Sequence, residues 1–144
     1  MVILPIQLRE IDIKDTKLVE TFLAHAGNSL SSFRYFNKRP LTIISNHLVT
    51  VLAIKDDVPI GYGHLDRDNG CVWLGVAVAD FMRGKGYGKI IVECLLKRAI
   101  ENGVNEVTLS VDKNNLAAIN LYCHFGFVKT DVTNLKTQIM KLNL

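Results

Sequence analysis

The stretch VAVADFMRGKGYGKII, Val76 to Ile91, packs three glycines, an arginine and two lysines between two apolar runs. An apolar strand-like run that ends in such a loop and resumes as a helix is a strand-to-helix junction. It constrains topology more than any other segment of the chain. The helix, GKIIVECLLKRAIEN from Gly88 to Asn102, is apolar around much of its circumference and stops at Gly103. A further strand, EVTLSV, follows it, so the crossover predicts a parallel, right-handed pair. The loop also carries chemistry. A helix N-terminus offers unpaired backbone N–H groups and about half a positive charge. Gly84, Gly86 and Gly88 remove side chains that would keep a bulky anion off those donors, and Arg83, Lys85 and Lys89 add charge on the rim. Phosphate, and pyrophosphate best of all, suits such a site.

Elsewhere the periodicity fills in the remaining elements. PIQLREI alternates as a first strand, and DTKLVETFLAHAG places Leu18, Phe22 and Ala26 at helical spacing, with Asp15 or Thr16 as N-cap and Gly27 as stop. SLSSFRYFNKRP reads as a short helical turn and a loop closed by Pro40. HLVTVLAIK and PIGYGHLD are strands around the turn DDVP, and Asn69-Gly70 marks a hairpin into a third strand, CVWLGVAV. NLAAINLYCHF reads as a helix starting at Asn114 or Asn115, and GFVKTDV and QIMKL as closing strands. The expected fold is one mixed α/β (α+β) domain over residues 1–144. Its central sheet has six to seven strands, antiparallel in the middle, and about four helices flank it.

Composition narrows the function classes. The chain has 144 residues, 49% hydrophobic and 22% charged, which suits a soluble globular protein with a real core. No apolar run reaches the ~18 residues that a membrane span needs, and MVILPIQLREIDIKD lacks the pattern of a signal peptide. A net charge of +3, scattered, gives no footprint for nucleic acid, so neither nucleic acid nor membrane is expected as a partner. Three widely spaced cysteines, Cys71, Cys94 and Cys123, suit a reducing cytoplasm rather than disulfides. No histidine has ligand spacing with another histidine or cysteine, so no metal is expected.

The loop fits neither common phosphate motif. The P-loop needs a hydroxyl where Ile90 stands, and the dinucleotide fingerprint needs a glycine where Lys89 stands. RGKGYG, Arg83 to Gly88, instead resembles the R/Q-x-x-G-x-G/A pyrophosphate loop of the GNAT superfamily of acetyl-coenzyme A-dependent N-acetyltransferases. NLAAINLYCHFGF, Asn115 to Phe127, is similar to that family's N-x-x-A-x-x-L-Y-x-x-x-G-F segment. The order of elements agrees from about residue 6 to the C-terminus.

The resemblance implies acetyl-CoA as co-substrate, with no metal. It implies that the backbone of Val76, Ala77 and Val78 pairs with the pantetheine arm, and that a strand N–H there steadies the thioester oxyanion. Arg83, Gly84, Lys85, Gly86, Tyr87, Gly88 and Lys89 would hold the diphosphate, with Asn115 near the cofactor and capping its helix. Tyr122 would protonate the leaving thiolate. Many relatives carry a glutamate where Val72 stands here, so the general base is open. His64 is the first candidate, with Asp66 and Asp112 behind it, and an amine that arrives neutral needs none.

The acceptor wall is expected in SSFRYFNKRP, with Arg34, Tyr35 and Asn37, together with Asp66, touching the substrate. Arg34, Lys38 and Arg39 suggest an acceptor with negative charge, and the aromatics suggest stacking on a sugar or base. The reading is a cytoplasmic N-acetyltransferase, monomer or homodimer, acting on the primary amine of a small molecule such as an amino sugar. The alternatives are a protein N-terminal or lysine acetyltransferase and a non-catalytic acyl-CoA sensor.

Overall fold

The computed structural model describes residues 6–144, so Pro5 of the expected first strand lies outside the described residues. The strands are β1 (Gln7–Glu10), β2 (His47–Lys55), β3 (Val58–Asp68), β4 (Cys71–Val78), β5 (Glu106–Asp112), β6 (Val128–Thr133) and β7 (Thr137–Asn143). The α-helices are α1 (Thr16–His25), α2 (Tyr87–Glu101) and α3 (Leu116–His124). One mixed sheet of seven strands has the order β1-β2-β3-β4-β5-β7-β6.

The hairpins form where turn chemistry calls for them. Asn69 and Gly70 have φ of 51° and 77°, and Asp56 and Asp57 have φ of 51° and 63°, as a two-residue turn with left-handed central positions demands. These turns set β2, β3 and β4 into a long antiparallel meander, with Tyr62 opposite Ala77 and His64 opposite Gly75. The segment between α1 and β2 forms consecutive 3-10 turns, Gly27–Ser31, Tyr35–Asn37 and Leu41–Asn46, rather than a regular helix. Asp15 stands at the start of α1 without capping it; its carboxylate instead holds Arg9 and the Asp12 N–H.

Alternation along the strands splits the core between the two faces. Val49, Val51, Leu109 and Phe127 pack with Ile91 and Leu95 of α2 on one face, the face that also carries α3. Leu52 and Tyr62 pack with Val19 and Phe22 of α1 on the other. Two glycines in β3 let α2 lie close. A Cβ on Gly63 would stand 2.5 Å from Ile91 and 2.9 Å from Leu95, and one on Gly61 would stand 2.7 Å from Ile91. Close contact there carries the N-terminus of α2 up to the C-terminal end of β4.

Gly63→Val therefore forces α2 off the sheet. Overpacking of this kind costs about 1–3 kcal/mol, and urea denaturation should show the loss as a lower midpoint with little change in slope.

Candidate active site

Strands β4 and β5 are parallel neighbours that pair at one position, Trp73 opposite Thr108. Beyond it they splay, and a cleft opens. Which backbone groups face it follows from the ladder on the other side. The Ala79 N–H bonds the Ile60 carbonyl at 2.8 Å. Antiparallel alternation then turns the main-chain groups of Ala77 and Gly75 toward β3, and those of Val76 and Val78 toward the cleft. Ser29 Oγ, reaching from the 3-10 turn after α1, caps the Val78 carbonyl from that side. The Val76 N–H and C=O have no strand partner across the gap.

The cleft holds a cavity of about 330 Å³, lined by the β4 edge, the glycine loop and α3. Gly84 and Gly86 have φ of 77° and 85°, and a Cβ built on either meets nothing within 4 Å. The first bond of α2 joins the Ile90 N–H to the Gly86 carbonyl at 3.3 Å. Ahead of it, the N–H groups of Tyr87, Gly88 and Lys89 open from the helix end toward the cavity they line. Such a cradle fits a diphosphate. Gly88 differs from expectation. It lies inside α2, and a Cβ there would come within 3.2 Å of Leu121, so its small size serves the α2–α3 contact. Arg83 and Lys89 lie on the cavity rim, whereas Lys85 is exposed away from its walls. Lys55 Nζ donates to the Tyr87 hydroxyl at 3.3 Å.

Across the cavity, Asn115 caps α3, accepting from the Ala118 N–H at 3.3 Å. Tyr122 lines the same space; burial pushes its phenol up to about 12. Its ring rests edge-on against Phe127 at 5.8 Å.

A second cavity, of about 390 Å³, adjoins the first and shares Phe33, Gly75, Ser110 and Asp112 with it. It lies on the α1 face, where Arg34, Tyr35, His64, Asp66 and Trp73 also line it. Asn37 and Lys38 are exposed outside its walls. Two expectations need correction here. Arg34 is not free for an anionic substrate, because it grips Asp112 in a bidentate pair at 2.8 and 2.9 Å and also donates to the Ser31 carbonyl. Hydrogen bonding to Arg34 holds the Asp112 carboxyl below its usual range, which also disqualifies it as a base. Arg39 lies over the Tyr35 ring at 4.3 Å and donates to the Tyr35 carbonyl.

His64 is the other correction. Burial, with His47 and Arg39 nearby, drives its imidazole well below the ordinary histidine value, so it is neutral. Its Nδ1 lies 2.7 Å from the Tyr62 hydroxyl. The Tyr62 ring is enclosed by Phe22, Phe33 and Phe36, so Nδ1 is the hydroxyl's acceptor and the histidine proton sits on Nε2. His64 therefore meets the cavity as a donor beside Gly75, not as a base.

Among the described residues no group of three or more His, Cys, Asp or Glu could hold a metal, and no helix is long and apolar enough to cross a membrane.

This architecture has known counterparts. A family model described as the acetyltransferase (GNAT) family matches residues 15–127. The chain belongs to the GNAT acetyltransferase family. It is 35% identical over 95 residues to an uncharacterized N-acetyltransferase, YobR, of Bacillus subtilis, covering 66% of this chain and 32% of that protein. Over 64 residues it is 38% identical to the spermine/spermidine N(1)-acetyltransferase of Bacillus subtilis, covering 43% of this chain and 42% of that one. The aligned stretches thus span less than half the length of either relative. Among solved structures, the paiA N-acetyltransferase of Thermoplasma acidophilum in complex with coenzyme A superposes with a TM-score of 0.78. That match has 20% identity and covers 97% of this chain and 99% of the other. The shared mixed α/β fold therefore extends over nearly the whole chain.

Ser29, Phe33, Ser110 and the Arg34–Asp112 clip escape a reading of spacing, since the pairings join positions 49 and 78 residues apart. Ser110 continues the polar alternation of EVTLSV after Glu106 and Thr108, which puts it on their side of the strand.

Breaking the clip with Asp112→Asn should cost about 1–2 kcal/mol, between the values of an exposed and a buried pair. The folded Asp112 carboxyl is depressed, so the wild-type advantage is complete above the ordinary aspartate value of about 3.9 and fades as pH falls through the lower folded one. Thermal melts from pH 7 to pH 2 should show the two proteins converging only at the acid end.

Proposed function

We propose that this chain transfers the acetyl group of acetyl-CoA to the primary amine of a small molecule, both substrates meeting in the splayed cleft. The observation that carries this reading is the alignment along the cleft of the unpaired Val76 backbone, the open N-terminus of α2 and the Tyr122 hydroxyl. The diphosphate would rest on the amides of Gly84 to Lys89, and the pantetheine arm would run beside Val76 and Val78. The Val76 N–H would meet the thioester oxygen as it gains charge, a contact stronger in the transition state than before it.

Attack needs a neutral amine. With His64 serving as a donor and Asp112 held by Arg34, the amine loses its proton to water before it attacks. Collapse of the tetrahedral intermediate breaks the C–S bond. A phenol raised to about 12 is a weaker acid than an ordinary thiol of about 8.5. Tyr122 therefore donates a hydrogen bond to the departing sulfur, which takes a proton from solvent as coenzyme A leaves. The attacking nitrogen, cationic once bonded to carbon, releases its extra proton to solvent. Positioning and preorganised dipoles supply most of the acceleration.

The size of the second cavity supports a small acceptor over a protein one: it is a half-open space of about 390 Å³ with Ser32 to Tyr35 and Arg39 of the 3-10 segment on its walls. Its aromatic walls accommodate an amino sugar or another compact amine.

Thiol release with acetyl-CoA and a panel of amines tests the transfer; no turnover with any amine would point to a sensor instead. Tyr122→Phe should lower kcat about 10- to 100-fold, with acetyl-CoA affinity within about twofold of wild type. Unchanged kcat would remove Tyr122 from the reaction. Gly86→Val forces a branched side chain into φ of 85° at the cradle. Its Kd for coenzyme A, read by calorimetry, should rise at least about 10-fold. Normal affinity would place the diphosphate elsewhere.

A further inference from the structure

The charged side chains on the walls of the second cavity leave it with a net negative balance. Of the cations on its walls, Arg34 is matched by Asp112 and Arg39 lies on Tyr35. Against Arg39 stand two more carboxylates, Asp66 and Asp68. Asp66 is 8% exposed, so it is more than nine-tenths buried, yet it lines the cavity. Its Oδ2 accepts from the Tyr35 hydroxyl at 2.8 Å, while Oδ1 has no hydrogen-bond partner among the described residues. Oδ1 is not sealed off, so this oxygen without a protein partner is open to a ligand in the cavity.

The carboxylate is also held in place from behind. Tyr35 spends its one hydroxyl proton on Asp66, so its oxygen must accept at 2.7 Å from His47 Nε2. Burial brings His47 down to about 4, so it is neutral and carries one ring proton, on Nε2. Its Nδ1 then accepts from the Thr50 hydroxyl at 2.8 Å. Every donor in the row Thr50–His47–Tyr35 points toward Asp66, which fixes the carboxylate's rotation and leaves Oδ1 aimed at the open space. Tyr35 and Trp73 line the same space, and Tyr35 already holds one guanidinium by its ring.

We propose that Asp66 is the specificity-determining residue for the acceptor, that it receives a second cationic group of that acceptor, and that Tyr35 is its positioning residue. This rests on the transferase reading above. Asp66 pairs with Trp73, and the reacting amine must meet Val76, three residues along β4. At ~3.4 Å per residue the two ends lie about 10 Å apart along the strand. With contact distances of about 3 Å at either end, a flexible diamine or longer polyamine covers that span: one neutral end attacks the thioester carbon beside Val76 while the charged end lies between Asp66 and Trp73. Asp68, further along the same edge, would receive the next charge of a longer chain.

The test compares 1,4-diaminobutane, 1,5-diaminopentane, n-butylamine and 4-aminobutyrate as acceptors. The diamines should exceed butylamine at least about 30-fold in kcat/KM, and 4-aminobutyrate should be the poorest. In Asp66→Asn the diamine-to-monoamine ratio should fall to near one, through a rise in the diamine KM. Tyr35→Phe should raise that KM about fivefold while kcat changes little, a split that general loosening of the fold would not produce. Turnover with equal preference for butylamine and the diamines, or discrimination surviving in Asp66→Asn, would overturn the proposal and leave acetyl transfer standing. If no amine turns over, calorimetric titration of wild type and Asp66→Asn with 1,4-diaminobutane decides the binding claim separately. Heat lost in the variant supports it, and equal heat, or none in wild type, rejects it.

Discussion

The single pairing between Trp73 and Thr108 is the constraint on which the site depends. A parallel pair normally buries its backbone in a continuous ladder. Here the ladder stops after one rung, and the edge of β4 is left with main-chain groups that only a ligand or water can satisfy. The cost is limited because β4 is fully paired with β3 on its other side and β5 is fully paired with β7. The sheet is therefore rigid on either side of an opening. Both cavities, the glycine cradle and the tyrosine opposite it lie along that opening, so their spacing follows from the splay rather than from any side-chain contact.

Electrostatics divides the two halves of the cleft. Around the first cavity the positive ends are fixed dipoles and rim cations. The second cavity keeps buried carboxylates, and each is managed differently. Asp112 is neutralised by a fork of the Arg34 guanidinium, whereas Asp66 receives only the hydroxyl of Tyr35. That asymmetry sets the acceptor cavity's charge, and counting basic residues in the sequence gives the opposite sign.

Local chemistry was legible in the sequence, and long-range pairing was not. Asn69-Gly70, the cradle glycines, the buried α2 and the α3 segment with Tyr122 each carry their reason within a few neighbours, through turn geometry, periodicity or a helix end. SSFRYFNKRP announced aromatic and basic residues, but its partners lie in β2, β3 and β5, and no spacing encodes them. Arg34 was thus read as free charge although Asp112 holds it, and His64 as a base although Tyr62 fixes its proton on the outer nitrogen. Gly88 belongs to the cradle through its amide, while the absence of its side chain also serves the contact with Leu121. In each case the type of residue was informative and its partner decided the role.

The segment lining the acceptor cavity has no regular helix between Gly27 and Asn46; it keeps its shape through side chains bonded to nearby carbonyls, as in Ser31 to Asn28, Arg34 to Ser31 and Arg39 to Tyr35. Such a wall is inexpensive to redraw during evolution. A few exchanged residues can reshape the pocket without repairing a helix or disturbing the sheet, whereas the cradle and the open strand edge are tied to α2 and β4. The adaptable part of the cleft and its fixed part thus follow from where this chain invests its regular structure.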